Sequence, residues 1–246
     1  MTEDPRERER LFVERLETFR QEGAQCAQFL YSYLTIHAVA AKDENVRRGL
    51  NEEALFWNTV LGGLQCSLFI VLGRVFDPSS KHGIASLLKF ATECAAIFQQ
   101  EALAHRKGED YAADARIPGP QEFVRMERLV AGYSERYNND YRELRNRVFA
   151  HRVYTGDTVG QLFSRTNINE LEQMVTFLDR FYRAWFNSFH NGSRLTLGRA
   201  RHSVQQMLER PRGRSLVKPV QEEMTAATQR ALAVIALPPV IPGASV

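Results

Sequence analysis

The sequence predicts an all-α protein: a helical bundle of about five core helices followed by a C-terminal helical extension. Apolar residues recur at steps of three and four over several long stretches, which is the spacing of one buried helix face. Proline and glycine cluster between these stretches, where they mark the ends of helices. With 246 residues, of which 44% are hydrophobic and 25% charged, the chain has the composition of a globular protein with a sizeable core.

The first two helices are predicted from their stripes and end signals. The first runs from about residue 6 to 41, and a polar break follows around residues 45–50. Asn51 is predicted to cap a second helix, because two glutamates directly after it suit the positive end of the helix dipole. This helix ends at Asp77-Pro78, and its stripe consists of Ala54, Trp57, Leu61, Leu64, Leu68, Val71 and Val75.

A third helix is predicted over residues 84–106, before a polar connector that contains Pro118-Gly119-Pro120. The fourth helix is long and gives way near Val153, ahead of a Thr-Gly-Asp turn. Its stripe consists of Phe123, Met126, Val130, Tyr133, Tyr137, Tyr141, Leu144 and Val148.

A fifth helix begins at Asn167, whose side chain is predicted to cap the backbone. Glu170, three residues later, is placed to accept a hydrogen bond from the backbone N–H of Asn167, as in a capping box. Its stripe consists of Ile168, Leu171, Val175, Leu178, Tyr182, Trp185 and Phe189. A last helix is predicted over residues 221–236, and the proline-containing tail after it is expected to be extended or disordered.

Composition also bears on where the protein acts. No run approaches the roughly 18 uninterrupted apolar residues of a membrane span, and the mixed charges at the start do not fit a signal peptide. We therefore expect a cytoplasmic protein that does not associate with membranes. The cysteines Cys26, Cys66 and Cys94 are odd in number and lack a C-x-x-C pair, which favours reduced, packed thiols over disulfides or zinc.

Charge divides the chain into a predicted helical domain over residues 1–192 and a basic extension over residues 193–246. Between residues 194 and 218 the only acid is Glu209, whereas the cations are Arg194, Arg199, Arg201, Arg210, Arg212, Arg214 and Lys218. One interpretation is a phosphate-binding segment for RNA, in which Arg199, Arg201, Arg212 and Arg214 contribute contacts without reading sequence. The alternative is a solvated tail.

The one sharp chemical signal is the segment Arg145-Asn146-Arg147-Val148-Phe149-Ala150-His151-Arg152, since the common nucleotide, zinc and serine-hydrolase motifs are absent. On an ideal helix Arg145 and His151 are displaced by about 120°, so one regular helix does not aim both at one point. Either the helix is distorted at its end, or two copies of the segment meet across a dimer axis.

The residue types suit metal-free RNA cleavage. A histidine near neutrality exchanges a proton with a 2′-hydroxyl or leaving oxygen, and arginines stabilise charge on the phosphate. The structural alternative is that His151 and Arg152 complement the C-terminal end of the helix dipole while Arg145 and Arg147 lie on solvated flanks. Spacing alone does not decide between these interpretations.

Three separated segments, taken together, resemble the abortive-infection (Abi U type) branch of the HEPN superfamily. They are residues 56–88, 141–152 and 166–178, and the likeness covers roughly residues 10–190. The resemblance implies a helical bundle that forms a homodimer, with two motifs meeting in a cleft. It also implies a metal-independent endoribonuclease without a cofactor, from an abortive-infection, antiphage or toxin–antitoxin system, which leaves a cyclic phosphate.

Carried over by resemblance, Arg145 and His151 match the catalytic pair, and Asn146 matches the polar residue after the arginine. Arg147 and Arg152 are the adjoining candidates for RNA contact. Arg74 and Asp77 match a segment of this branch without an assigned role; Asp77 ending the second helix and pairing with Arg74 is the structural alternative. The functional alternative is a non-catalytic HEPN-like module that binds RNA, a nucleotide or a partner protein, and a neutralising antitoxin or defence partner is a further expectation.

Overall fold

The computed structural model describes residues 4–150, 161–162, 164–200, 202–209 and 218–236, and across these it contains helices and connecting turns without a strand. The predicted all-α fold is therefore confirmed. The helices are α1 (Pro5–Lys42), α2 (Glu44–Glu52), α3 (Ala54–Phe76), α4 (Ile84–Glu93), α5 (Gln100–Lys107), α6 (Glu109–Ala113), α7 (Pro120–Arg136), α8 (Ile168–Asn191), α9 (Val204–Glu209) and α10 (Val220–Ile235).

The chain forms two compact units that do not follow its linear order. Unit 1 comprises residues 1–26 and 69–201, and unit 2 comprises residues 27–68 and 202–246. The helices α1 and α3 each contribute to both units, with the division after Cys26 and after Leu68. The boundary at residue 192 inferred from charge stays a prediction.

The core of unit 1 is rich in aromatic side chains. Phe12 of α1 lies 5.1 Å from Phe98 and 6.1 Å from Trp185 of α8, measured between ring centroids and with edge-to-face geometry. Phe19 and Phe181 repeat this contact at 5.2 Å, two turns further along α1. Such pairs add roughly 0.5–1.5 kcal/mol each to ordinary burial, and they fix α1 against α8.

Unit 2 has a smaller core, in which Ile36 of α1, Val46 of α2 and Leu232 of α10 are buried together. Gly49 allows α10 to come close, because a Cβ at this position would collide with the side chain of Ile235. The hydroxyl of Tyr31 donates a 2.6 Å hydrogen bond to the carbonyl oxygen of His202. The last helix, predicted over residues 221–236, is confirmed as α10.

The predicted break around residues 45–50 is wrong, since these residues belong to α2. The cap is Asp43, whose carboxylate accepts hydrogen bonds from the backbone N–H groups of Asn45 (2.9 Å) and Val46 (3.3 Å). Asn51, predicted to cap the next helix, lies inside α2 instead. The polar composition misled the prediction because α2 is amphipathic and buries mainly Val46.

The third predicted helix is interrupted, because a 3₁₀ turn over Ala95–Phe98 separates α4 from α5. The cap of α8 is confirmed at Asn167, whose side chain accepts a 2.8 Å hydrogen bond from the backbone N–H of Asn169. Its predicted capping box is not formed. Glu170 lies 3.3 Å from the hydroxyl of Tyr141, and that hydroxyl is also 3.5 Å from the backbone nitrogen of Asn167.

Cysteine placement agrees with the prediction of packed thiols. Cys26 and Cys94 are buried, Cys66 is partly buried, and all three are free. Burial raises the pKa of the Cys26 thiol far above its ordinary value, because the thiolate would lose its hydration. This cysteine is therefore a packing residue.

The first half of α3 is apolar and exposed. Leu55 and Phe56 keep 85% and 59% of their surface open to solvent. Among the described helices, α3 is the one whose length and mean hydropathy of 1.7 would suffice to cross a membrane, and only 22% of its most apolar 18-residue stretch is buried inside the protein. The sequence analysis did not find this helix as a membrane span, because it looked for uninterrupted apolar residues and polar residues such as Asn58 and Gln65 interrupt the run.

Candidate functional site

The predicted site lies on the helical stretch that continues α7, over residues 137–150, which we call the motif segment. It contains a π-helical turn at Tyr137–Tyr141, a short α-turn at Arg142–Leu144 and a second π-helical turn at Arg145–Ala150. The backbone N–H of Arg142 bonds to the carbonyl of Tyr137, five residues back. Turns of this kind are rare and occur often at functional sites. The helix is therefore distorted over Arg145–Ala150, which is the first of the two alternatives that the sequence left open for bringing Arg145 and His151 together.

Aromatic stacking holds the motif segment onto α3. The ring of Phe149 stacks on Phe69 at a centroid distance of 5.0 Å and an interplanar angle of 12°. Tyr141 stacks on the same phenylalanine at 6.2 Å and 30°. Leu144 between them is fully buried. These contacts place the residues beginning at Arg145 next to the C-terminal half of α3.

Arg145 is half-buried, and its guanidinium lies against the backbone of α3. A Cβ built on Gly73 would lie 2.8 Å from Nε and 3.2 Å from Cζ of this arginine. Nη1 donates a 2.7 Å hydrogen bond to Oδ1 of Asn146. Nε is buried and has no hydrogen-bond partner among the described residues. The predicted phosphate ligand is thus a cation held by neutral groups.

Arg147 is placed differently from Arg145. It is exposed, and its Nε lies 3.2 Å from Oε1 of Glu143, one turn earlier. The other oxygen of Glu143 is 3.3 Å from Nη1 of Arg165. The carboxylate of Glu143 therefore pairs with two arginines at the surface. Surface ion pairs of this kind contribute little stability and open readily.

Several predicted site residues lie outside the described residues, namely His151, Arg152, Arg201, Arg212 and Arg214. Their assignments, including the pairing of His151 with Arg145, stay predictions. Arg199 is described and is exposed at the surface. No three His, Cys, Asp or Glu side chains of the described residues come together as a metal site requires.

The two residues without an assigned role have separate structural tasks. Arg74 does not pair with Asp77, as the structural alternative expected, but with Glu22 of α1 at 2.9 Å and with the side chain of Gln25. Asp77 does end α3, because its Oδ1 accepts hydrogen bonds from the backbone N–H and the hydroxyl of Ser79. These bonds to Ser79, and the charges of nearby Arg142 and Arg145, lower the pKa of Asp77.

Two neighbours of Arg145, Gly73 and Tyr137, were not predicted from the sequence to belong to the site. Gly73 lies within the apolar helix α3, one turn before its end, and a glycine inside a helix costs about 1 kcal/mol relative to alanine and signals a close approach. That signal is not selective, because Gly62, Gly63 and Gly132 also lie in helices yet face open space. Tyr137 was assigned only to the apolar stripe, but its hydroxyl oxygen would lie 3.0 Å from a Cβ on Gly73.

The fold and the site together define the class of protein. It is an all-α bundle in which an Arg-Asn pair lies on a π-helical turn next to a buried glycine. The model of the AbiU2 family of HEPN proteins matches residues 11–206. This chain belongs to the AbiU2 family, so the resemblance to the abortive-infection branch of HEPN proteins is confirmed. No curated protein and no solved structure matches the chain.

Proposed function

We propose that this protein is a metal-independent endoribonuclease of an abortive-infection, antiphage or toxin–antitoxin system. It acts as a cytoplasmic homodimer in which Arg145 and His151 form a composite site. RNA is the substrate, and a cognate partner protein controls the activity. Membership of the HEPN family supports the proposal, and the surroundings of Arg145 carry it.

The environment of Arg145 differs from that of arginines that serve structure here. Arg74 and Arg106 each form an ion pair with a glutamate. Among the described residues, no carboxylate lies within ion-pair distance of Arg145, and its one side-chain hydrogen bond goes to the neutral amide of Asn146. The positive charge therefore remains uncompensated by a direct partner, as a phosphate-binding arginine requires.

The chemistry follows from these residue types. His151 takes the proton from a 2′-hydroxyl, and the resulting oxygen attacks the neighbouring phosphorus. The bond to the 5′-oxygen breaks, that oxygen receives a proton, and a 2′,3′-cyclic phosphate remains. Arg145 stabilises the negative charge that grows on the phosphate oxygens, and Asn146 holds its guanidinium. Arg147, Arg152 and Arg199 add electrostatic attraction to the RNA strand.

The decisive experiment is cleavage of labelled single-stranded RNA in the presence of EDTA. The wild type should cleave, whereas Arg145→Ala and His151→Ala should lose at least about a hundredfold in rate. Arg125→Ala and His82→Ala, which replace exposed residues of the same types, are the matched controls and should stay within about twofold of the wild type. Equal activity in all five proteins would contradict the proposal.

Mixed dimers test the composite site. When Arg145→Ala and His151→Ala chains are combined, a heterodimer contains one intact pair if Arg145 and His151 come from different subunits. Activity should then return to about half of the wild-type rate per heterodimer. If both residues act within one chain, the mixture stays inactive. RNA binding without cleavage in every sample would favour the non-catalytic module.

The basic extension is tested separately by the salt dependence of RNA binding. Replacing Arg199, Arg201, Arg212 and Arg214 by glutamine should weaken binding and reduce the slope of log K against log salt by about 0.7 for each arginine that binds a phosphate. Binding should weaken similarly for RNAs of different sequence, since phosphate contacts carry no sequence information. An unchanged slope would assign these arginines to a solvated tail.

A further inference from the structure

Because Gly73 has no side chain, the guanidinium of Arg145 fits against the backbone of α3, and the Cβ atom of any other residue type would occupy that space. Gly73 lies one turn before the end of α3, and the position of a Cβ there would fall 2.8 Å from Nε and 3.2 Å from Cζ of Arg145. Carbon and nitrogen atoms do not approach each other so closely in packed proteins. Even a single methyl group on Gly73 would therefore displace Arg145.

Tyr137 closes the same space from the motif segment. Its side chain is fully buried, and its ring stacks on Phe76 at a centroid distance of 6.0 Å and an angle of 23°. This contact fixes the ring, so the hydroxyl oxygen comes within 3.0 Å of the Cβ position on Gly73. The hydroxyl and Nε of Arg145 thus converge on one point of the α3 backbone.

Both polar groups at this point lack a hydrogen-bond partner among the described residues. A buried tyrosine hydroxyl without a partner destabilises a fold, and phenylalanine would stack on Phe76 equally well. Burial raises the pKa of Tyr137 to about 12, so the phenol stays neutral and presents a dipole rather than a charge to the guanidinium. Packing alone does not explain the hydroxyl.

We propose that Gly73 and Tyr137 are positioning residues that form a seat for the guanidinium of Arg145 and fix its direction toward the RNA phosphate. This inference rests on the proposed function of Arg145 as the phosphate ligand. The seat covers Nε, Asn146 holds Nη1, and Nη2 remains as the nitrogen to which no described residue bonds. Because the seat is neutral, it restricts the arginine without cancelling its charge.

The first test measures the seat without requiring nuclease activity. The Nε–Hε signal of Arg145 is assigned in a ¹H–¹⁵N spectrum by its absence from Arg145→Lys, and its exchange with water is followed. Slow exchange is expected in the wild type and in the control Gly132→Ala, a helical glycine whose Cβ position is open. Gly73→Ala should accelerate exchange by at least about tenfold, because the guanidinium is displaced.

The second test measures cleavage. Gly73→Ala should lower kcat by about ten- to a hundredfold with little change in KM, since a displaced catalytic group affects the transition state more than binding. Tyr137→Phe, which retains the stacked ring, should lower kcat by about threefold to tenfold. In the Arg145→Lys background, Gly73→Ala should cause no further loss, whereas damage to the fold would add to it.

The outcomes separate this inference from the proposed function. If the wild type does not cleave RNA but Gly73→Ala exposes Nε of Arg145, the seat stands and the nuclease proposal fails. If Gly73→Ala leaves the signal protected and cleavage unchanged, the seat is wrong whatever the activity. A folded Gly73→Ala protein is the expected result, because alanine favours the helix; if it does not fold, Tyr137→Phe decides by the same two measurements.

Discussion

The ring of Phe149 lies parallel to that of Phe69, with 5.0 Å between their centroids, so the second π-helical turn is fastened to α3 directly beside Arg145. Phe149→Leu keeps the apolar contact but removes the stacking, and we expect a loss of about 1 kcal/mol in the free energy of unfolding. Phe69→Ala opens a cavity at a buried position and should cost about 3–5 kcal/mol.

Denaturant titration of both variants measures these values. The stacking also predicts that Phe149→Leu reduces RNA cleavage more than its stability loss explains, because it loosens the turn that carries Arg145. Cleavage at the wild-type rate by a destabilised Phe149→Leu protein would contradict that link.

The ion pair between Arg74 and Glu22 predicts a structural role for Arg74. The arginine is half-exposed, so Arg74→Ala should lower the free energy of unfolding by no more than about 1 kcal/mol, with a smaller effect at high salt. Cleavage should stay within about twofold of the wild type, in contrast to Arg145→Ala. A large loss of activity in a stable Arg74→Ala protein would place Arg74 in the site.

Asp77 predicts an acid-dependent stability. Its pKa is lowered in the folded protein, so the ionised form is favoured by folding. The contribution is present above the unfolded value of about pH 4 and is lost as the pH falls through the folded pKa. Asp77→Asn retains an oxygen acceptor for Ser79 but cannot ionise, and its unfolding midpoint should therefore depend less on pH in this range than that of the wild type.

Thermal unfolding between pH 5 and pH 2.5 would show this difference, and the range is chosen to bracket the roughly pH 4 value of an unperturbed aspartate. Glu53→Gln, at an exposed carboxylate outside unit 1, is the control. Parallel curves for wild type and Asp77→Asn would show that neither the hydrogen bonds from Ser79 nor the charges of Arg142 and Arg145 lower the pKa of this carboxylate.

Two buried tyrosines predict an alkaline transition. Burial raises the pKa of Tyr137 and of Tyr141 to about 12, whereas in the unfolded chain each phenol ionises near 10. The unfolded chain therefore releases these protons first. The stabilising effect of the protonated phenols is complete below about pH 10 and is lost as the pH rises toward about 12.

Tyr137→Phe should consequently show a smaller decline in stability than the wild type between these pH values. Denaturant unfolding combined with phenolate absorbance measures both quantities in one sample. An identical decline in the two proteins would mean that the Tyr137 hydroxyl already ionises in the folded state.

The sequence predicted the long helices well, because their apolar stripes are regular and their ends carry proline, glycine or a capping side chain. Asn167 was found in this way. The prediction failed at α2, where a nine-residue amphipathic helix with few apolar positions resembles a polar break. It also failed at residues 95–98, since a single 3₁₀ turn changes the backbone without changing the composition.

The candidate site was predictable only as a set of residue types. Motif resemblance identified Arg145 and Asn146, and the structure joins them by a hydrogen bond. The π-helical turns have no distinctive sequence signal, because hydrogen bonds to the fifth residue depend on packing against neighbouring helices. Glu170 illustrates the same limit, since the hydroxyl of Tyr141 draws it away from the capping box that its position predicts.

By itself, the sequence determined the all-α fold, the family and the position of the candidate arginine Arg145, because periodicity and motif residues are local properties of the chain. The tertiary structure decided what surrounds that arginine: Gly73 and Tyr137 are 72 and 8 residues away from Arg145 along the chain, and only packing brings them to its guanidinium. It also decided that Arg74 pairs with Glu22 of α1 rather than with Asp77. Such choices depend on which surfaces meet, and separation along the chain does not encode that.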